Sequence, residues 1–397
     1  MSLFHEVTLL PDDPILALPA LFGADNRPFK VNLGIGAYKT AEGVPFVLSS
    51  VKKAEAQLLQ ENLNKEYLPI EGDKEFLKSS LELIFGANSS VLSTSNYFAT
   101  QTVGGSGALR VAAEFFNRNT FKNIFVSNPS WPNHTLIFER AGLNVNSYPY
   151  LDSQTYLLDF NRMVEAIKTM PSASVIVLHG CCHNPTGLDL TSAQWQELSE
   201  IIKKQQLIPL FDLAYQGFGQ SLEQDAWPIR HFAEQGHEML ICYSFSKNFG
   251  LYGERIGFLT ILTSESQLLF PIASQIKTII RSQYSTPPIH GANIVKTILK
   301  SSSLRLEWEN ELQSMRQRIY EMRQALVREL ENQTKDHRFA YMYQQQGLFS
   351  LLGLTPEQVA LLRQEWAIYM PSNGRINIAG LNRKNLDYVA KSLLSVL

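Results

Sequence analysis

The sequence predicts an α/β fold, with a mostly parallel sheet covered by helices on both faces and a second, smaller α+β unit toward the C-terminus. Two observations point to the sheet. Short apolar runs alternate with amphipathic stretches of helical length, and these runs are apolar throughout instead of at every second position. A third points to the second unit: a long helical pattern separates the runs from a mixed final segment. At 397 residues the chain is too long for one simple core and suits two or three domains.

The first part is loop-rich, with Pro11, Pro14, Pro19 and Pro28, and ends in VNLGIGAYK. Two helical stretches follow, SVKKAEAQLLQEN and DKEFLKSSLELIFG. The runs NIFVSNPSW, SVIVLHGCCHNPTG, LIPLFDLAYQGF and EMLICYSFSKNFG read as strands that end in small or polar residues. Between them lie helix candidates such as LTSAQWQELSEIIKKQQ, where Trp195, Leu198, Ile201 and Ile202 keep helical spacing. Ligands of open parallel sheets bind beyond the carboxyl ends of the strands, so the polar tails of the runs are where chemistry is to be sought. After Pro287–Pro288, Trp308, Leu312, Met315, Ile319, Met322, Leu326 and Leu330 recur every three or four residues. A coiled-coil seam and a long helix joining two domains both fit, and the joining helix is preferred. The end of the chain, from YMYQQQGLFSLLG through TPEQVALLRQEW and GRINIAG to a closing helix, reads as the smaller α+β unit.

Composition narrows the function. With 35 basic and 37 acidic residues the net charge is −2, which gives no electrostatic reason to expect nucleic acid or an anionic membrane. The start, MSLFHEVTLLPDD, lacks the basic opening of a signal peptide, and no stretch approaches the ~20 apolar residues of a membrane helix. Cys181, Cys182 and Cys242 lie in apolar, strand-like segments, so a disulfide framework is not expected and a reduced, cytoplasmic setting is.

Lys247, in SFSKNFGLYGER, stands after an apolar run and away from other charges. The SxxK pattern of penicillin-binding serine enzymes is one reading, but its companion KTG and SDN elements are missing. The other is a Schiff-base lysine, made nucleophilic by partial burial and by a neighbouring cation such as Arg255. Pyridoxal phosphate would need a carboxylate at its ring nitrogen, donors at its phenolic oxygen, and amides plus an arginine at its phosphate. Asp212 and Tyr215, the glycines of VGGSGALR, Asn184 in HNPTG and Trp131 in NPSWPNH are candidates for these tasks. Singly each has an ordinary explanation: a helix-capping aspartate, a glycine turn, a core tryptophan. Their occurrence together at the ends of successive runs is what carries weight.

NLGIGAYK, GGSGALR, SNPSWPNH, HGCCHNPTG, DLAYQGF, SFSKNFGLYGER, YSTPPIHGA and SNGRINIAG resemble, in order, the class I aspartate/aromatic aminotransferases. The resemblance implies a fold-type I pyridoxal 5'-phosphate enzyme with a seven-stranded sheet. It makes Lys247 the covalent partner of the cofactor and the proton carrier. Asp212 would pair with the pyridinium nitrogen, Tyr215 and Asn184 would serve the phenolic oxygen, and Trp131 would stack on the ring. Gly105, Ser106, Ser244 and Arg255 would bind the phosphate, joined by Tyr67 from the neighbouring subunit. Gly36 and Arg375 would receive the substrate and its α-carboxylate, and Arg281 of the partner its distal carboxylate. His134 and His183 match family positions around the cofactor, where a packed, hydrogen-bonded histidine is an equally good account.

The implied activity is ping-pong transfer of an amino group from L-aspartate to 2-oxoglutarate, giving oxaloacetate and L-glutamate. Aromatic-amino-acid transamination is the alternative, since GGSG, YLPIEG and YGER resemble that branch. The resemblance also implies a homodimer and three parts: residues 1–46 (arm and part of the small domain), 47–310 (cofactor domain) and 311–397 (small domain). A binding protein on the same fold could dispense with Lys247, Asp212 or Arg375, and all three are present. A decarboxylase or racemase fits the paired arginines poorly.

Overall fold

All four apolar runs form strands of a single seven-stranded sheet in a computed structural model that describes residues 2–10, 12–94 and 96–397. Pro11 therefore lies outside the described residues. The strands are β1 (Tyr97–Val103), β2 (Asn123–Asn128), β3 (Asn144–Pro149), β4 (Val175–His179), β5 (Ile208–Leu213), β6 (Met239–Ser244) and β7 (Ile256–Leu262), in the spatial order β1-β7-β6-β5-β4-β2-β3. Only β7 runs antiparallel to its neighbours. The absence of alternation has a direct cause. Ile176, Leu178, Phe211 and Ile241 enter one apolar core, while Val175, Val177, Leu210 and Leu240 enter a second on the other face.

The helices begin where capping residues allow. Asp73 accepts the Phe76 N–H at 2.7 Å to start Lys74–Phe85. Thr191 with Gln194, and Thr355 with Gln358, form capping boxes for Ser192–Lys204 and Pro356–Trp366. The loop-rich N-terminal stretch contains one short helix the sequence reading did not expect, Leu18–Ala24, where Pro19 sits in the first turn and its missing N–H costs nothing.

Val31–Asn32 pairs in parallel with Ile368–Tyr369, which ties the N-terminal segment to the C-terminal unit. That unit also holds the antiparallel pair Phe349–Leu351 and Arg375–Asn377 and the closing helix Leu386–Ser395. The long pattern is one helix, Ser302–Thr334, packed against helices of both units, and residue 310 falls within it. Its buried stripe differs from the apolar spacing at one place: Met322 is half-buried, and Arg323 is fully buried beside it.

The carboxyl ends of β1, β2, β4, β5 and β6 share one edge of the sheet. Chain order reverses between β2 and β4, which opens a crevice there. Cys181 and Cys182 lie just past β4, not within a strand, and with Cys242 they are free and buried. Among the described residues no helix is long and apolar enough to cross a membrane.

Candidate active site

Lys247 sits in the turn after β6, and that turn is held from several sides. The Gly250 N–H donates to the Lys247 carbonyl at 3.1 Å. Trp308 Nε1 of the long helix donates to the Asn248 carbonyl at 2.7 Å, and the Trp308 ring stacks on Phe249 at 4.4 Å between centroids. Lys247 Nζ stands 5.3 Å from the centre of the Tyr215 ring. Burial pulls the ammonium down to about 8; Asp212 opposes this, while Arg255 and Arg375 add to it. An amine so placed is largely charged at neutral pH but surrenders its proton far more readily than a surface lysine.

Asp212, near the end of β5, pairs in register with His179 of β4 and Cys242 of β6. Its Oδ2 accepts from His134 Nε2 at 2.9 Å. Burial alone would raise this carboxyl, but the His134 hydrogen bond and the nearby His134, His179 and Lys247 outweigh it and hold it below the ordinary value. Ser130 Oγ lies 2.9 Å from His134 Nδ1, so the ring has a defined orientation. His134 thus does more than pack, whereas His183 fits the packed reading: it lies between Ser127 and Thr186 and stacks on Tyr150 at 3.8 Å. Trp131 is half-buried and meets His134 edge-on at 5.3 Å.

An anion cradle lies beside them. The Gly104–Arg118 helix starts at the end of β1, and Gly105 and Ser106 occupy its first turn. Gly104 has φ +68°, and a Cβ there would stand 2.4 Å from Arg255 Nη2, so only glycine lets the guanidinium approach the helix start. Arg255 Nη1 donates to Ser246 Oγ at 3.2 Å, and Ser244 Oγ donates to the same oxygen at 3.1 Å.

Arg375 closes the site from the C-terminal unit. It is 3% exposed, yet its Nη1 donates to Asn184 Oδ1 at 3.1 Å and its Nη2 to the Gly34 carbonyl at 2.9 Å. Nε has no partner among the described residues. Burial lowers its pKa to about 10, which leaves it cationic at neutral pH. Its guanidinium lies 4.0 Å from the centre of the Phe349 ring, and a Cβ on Gly36 would come within 2.7 Å of that ring.

Lys247, Asp212, Tyr215, Asn184, Trp131, Gly105, Ser106, Ser244, Arg255, Gly36 and Arg375 are thus gathered at the sheet edge and the cleft facing it. Tyr67, 84% exposed, and Arg281, whose Nη1 donates to the Ser285 hydroxyl, make no hydrogen bond to this cluster within the chain. The sequence reading missed Ser246, His179 and Phe349. Ser246 was visible in SFSK as a second hydroxyl beside the lysine, and His179 at the end of its run. Phe349, in GLFS, carried no polar signal at all.

Residues 28–393 match the family described as aminotransferase class I and II. Aspartate aminotransferase of Escherichia coli strain K12 is 46% identical over 396 residues, covering 100% of both chains. Aromatic-amino-acid aminotransferase from Burkholderia pseudomallei, solved covalently bound to pyridoxal phosphate, superposes with a TM-score of 0.96 at 43% identity, with full coverage of both chains. Cytoplasmic aspartate aminotransferase of Saccharomyces cerevisiae gives a TM-score of 0.97 at 40% identity, covering 99% of this chain and 98% of its own.

Proposed function

The chain belongs to the class I and II aminotransferases, and from that premise we propose that it transfers the amino group of L-aspartate to 2-oxoglutarate. Pyridoxal 5'-phosphate is its cofactor, as in the Burkholderia relative. The residues fit that group. Ser244 and Arg255 lie against the glycine-rich helix start, with Ser246 bonded to both, as a phosphate requires; Asp212 is held anionic, and the Lys247 amine feels the charges of both Asp212 and Arg255. When bound, the cofactor supplies an electron sink for the charge left by removal of the substrate α-proton.

Each residue then has a task. Asp212, oriented by His134, keeps a proton on the cofactor ring nitrogen. Lys247 Nζ would hold the cofactor, and the same amine would carry the substrate α-proton. Tyr215 and Asn184 would supply donors to the cofactor's phenolic oxygen, and Trp131 an aromatic surface for its ring. Gly105, Ser106, Ser244 and Arg255 take the phosphate, with Tyr67 reaching it from a second subunit. Gly36 lies against the substrate. Arg375 orients the α-carboxylate as a bidentate pair, a geometry that guanidinium supplies and ammonium does not. Arg281 of the second subunit receives the distal carboxylate.

The observation that carries this reading is the cation of Arg375, buried, with its Nε–H unpartnered among the described residues, in the same cluster as Lys247 and Asp212. The homodimer is supported by the exposure of Tyr67 and Arg281. In the three-part division 1–46, 47–310 and 311–397, the link of the first part to the third is supported by the pairing of Val31–Asn32 with the C-terminal unit. A reduced, cytoplasmic setting is supported by three free cysteines. A second reading, transamination of aromatic amino acids, is favoured by the likeness to the Burkholderia protein.

The deciding experiment is a half-reaction. The holoenzyme is mixed separately with L-aspartate and L-phenylalanine, and loss of the cofactor's visible absorbance is followed. Conversion with aspartate at least about tenfold faster than with phenylalanine is expected, the margin that two well-placed charged hydrogen bonds readily supply. Comparable rates would assign the chain to the aromatic branch, and no conversion with either would end the proposal.

A further inference from the structure

Arg323 is the one arginine of the long helix that is fully buried, 2% exposed, in the stripe where Met322 was expected. It has no carboxylate partner among the described residues. A buried guanidinium costs several kcal/mol unless it is hydrogen-bonded, so where its donors go matters. The hydrogen bonds of Nε and Nη2 all go to one short segment. Nη2 donates to the carbonyls of Gly347 and of Phe349, the latter at 3.3 Å, and Nε donates to Ser350 Oγ at 3.2 Å.

The same segment is held on its other side. The Gln346 N–H donates to the Gly187 carbonyl at 2.6 Å, and a Cβ on Gly347 would meet Cys182 Cβ at 2.4 Å. Residues 346–350 are therefore gripped between the long helix and the turn that carries Asn184. At the centre of this segment Phe349 lies against the Arg375 guanidinium and edge-on to Tyr215, whose ring centre is 5.8 Å away. Any shift of the Phe349 backbone moves the surface on which Arg375 rests.

We infer that Arg323 is a positioning residue for recognition of the substrate α-carboxylate, acting through the 347–350 segment and Phe349 on Arg375. This rests on the role given to Arg375 above. A displacement near 1 Å at a distance from the reacting atoms suffices for losses up to about 100-fold. Hydrophobic side chains of similar size would fill the same space without ordering those carbonyls, which separates positioning from packing.

The test uses holoenzymes carrying Arg323→Gln, Arg323→Lys, Phe349→Leu and the Gln/Leu double change. Two quantities are read: kcat/KM for L-aspartate, and the inhibition constant of 3-aminopropanoate, which is aspartate without its α-carboxylate. Arg323→Gln should lower kcat/KM about 10- to 100-fold and leave the inhibition constant within about twofold. Arg323→Lys, able to reach only part of the carbonyl set, should retain more activity, and it serves as the test should the glutamine variant fail to accumulate. The double variant should lose no more than the worse single one, because both changes act on one linkage. Losses that multiply, or an inhibition constant rising in step with the loss of kcat/KM, would overturn the proposal. Arg375→Lys separates the two levels. If it leaves kcat/KM intact, the Arg375 role fails and this inference with it; if it is damaging while Arg323→Gln and Arg323→Lys are not, this inference alone falls.

Discussion

At Lys247 the neighbours pull in opposite directions: burial, Arg255 and Arg375 favour the neutral amine, while Asp212 favours the ammonium. The balance lies near 8, against 10.5 in an unfolded chain. Between those two values the unfolded chain binds more protons than the folded one, so stability of the cofactor-free protein rises with pH across that window. At pH 7 the amine is charged in both states, and the folded state bears the full cost, on the order of 3 kcal/mol. Lys247→Met removes that cost. The cofactor-free variant should therefore unfold at higher urea than the cofactor-free parent at pH 7, with the gap closing as the pH is raised from about 8 toward 10.5. An equal midpoint at pH 7 would show that the ammonium is not strained by its surroundings, and the account of its activation would have to change.

The catalytic turn depends on an element remote in sequence. Trp308, fully buried in the long helix, is the donor that satisfies the Asn248 carbonyl, and its ring supports Phe249. Trp308→Phe keeps the aromatic stack but orphans that carbonyl in a dry interior. A loss of about 2–3 kcal/mol in urea-unfolding free energy is expected. A loss below about 1 kcal/mol would mean that another donor replaces the indole. This coupling shows why legibility differed between elements. The four central strands could be read because both of their faces are buried, which writes a continuous apolar run into the sequence. Lys247, Asp212 and Asn184 could be read because they stand together at the ends of successive runs, where ligands of an open sheet bind. The Leu18–Ala24 helix was hidden by Pro19, and Arg323 by a periodicity that assigns buried helix positions to apolar residues. A cation satisfied by backbone carbonyls and one serine hydroxyl leaves no carboxylate partner in the sequence to betray it.

On the scale of the whole molecule the single chain leaves two assigned residues away from its own site. Tyr67 is 84% exposed, Arg281 is exposed, and the arm that precedes them presents Leu3, Phe4, Val7, Leu9 and Leu10 to solvent. Scattered apolar residues on a surface need no explanation, but a run of them on one arm is suited to burial against a second subunit. A two-fold dimer would cover it and bring each Tyr67 and Arg281 to the partner's cluster by the same operation. That arrangement makes a prediction no single-chain site can mimic. Lys247→Ala and Arg281→Ala variants should each be nearly inactive with L-aspartate. When equal amounts are unfolded together and refolded, half of the dimers are mixed, and each mixed dimer has one site with both defects and one with neither. Activity should recover to roughly a quarter of the parent's, half the dimers with half their sites intact. Were Arg281 to serve its own chain, every site in the mixture would keep one defect, and refolding together would restore nothing.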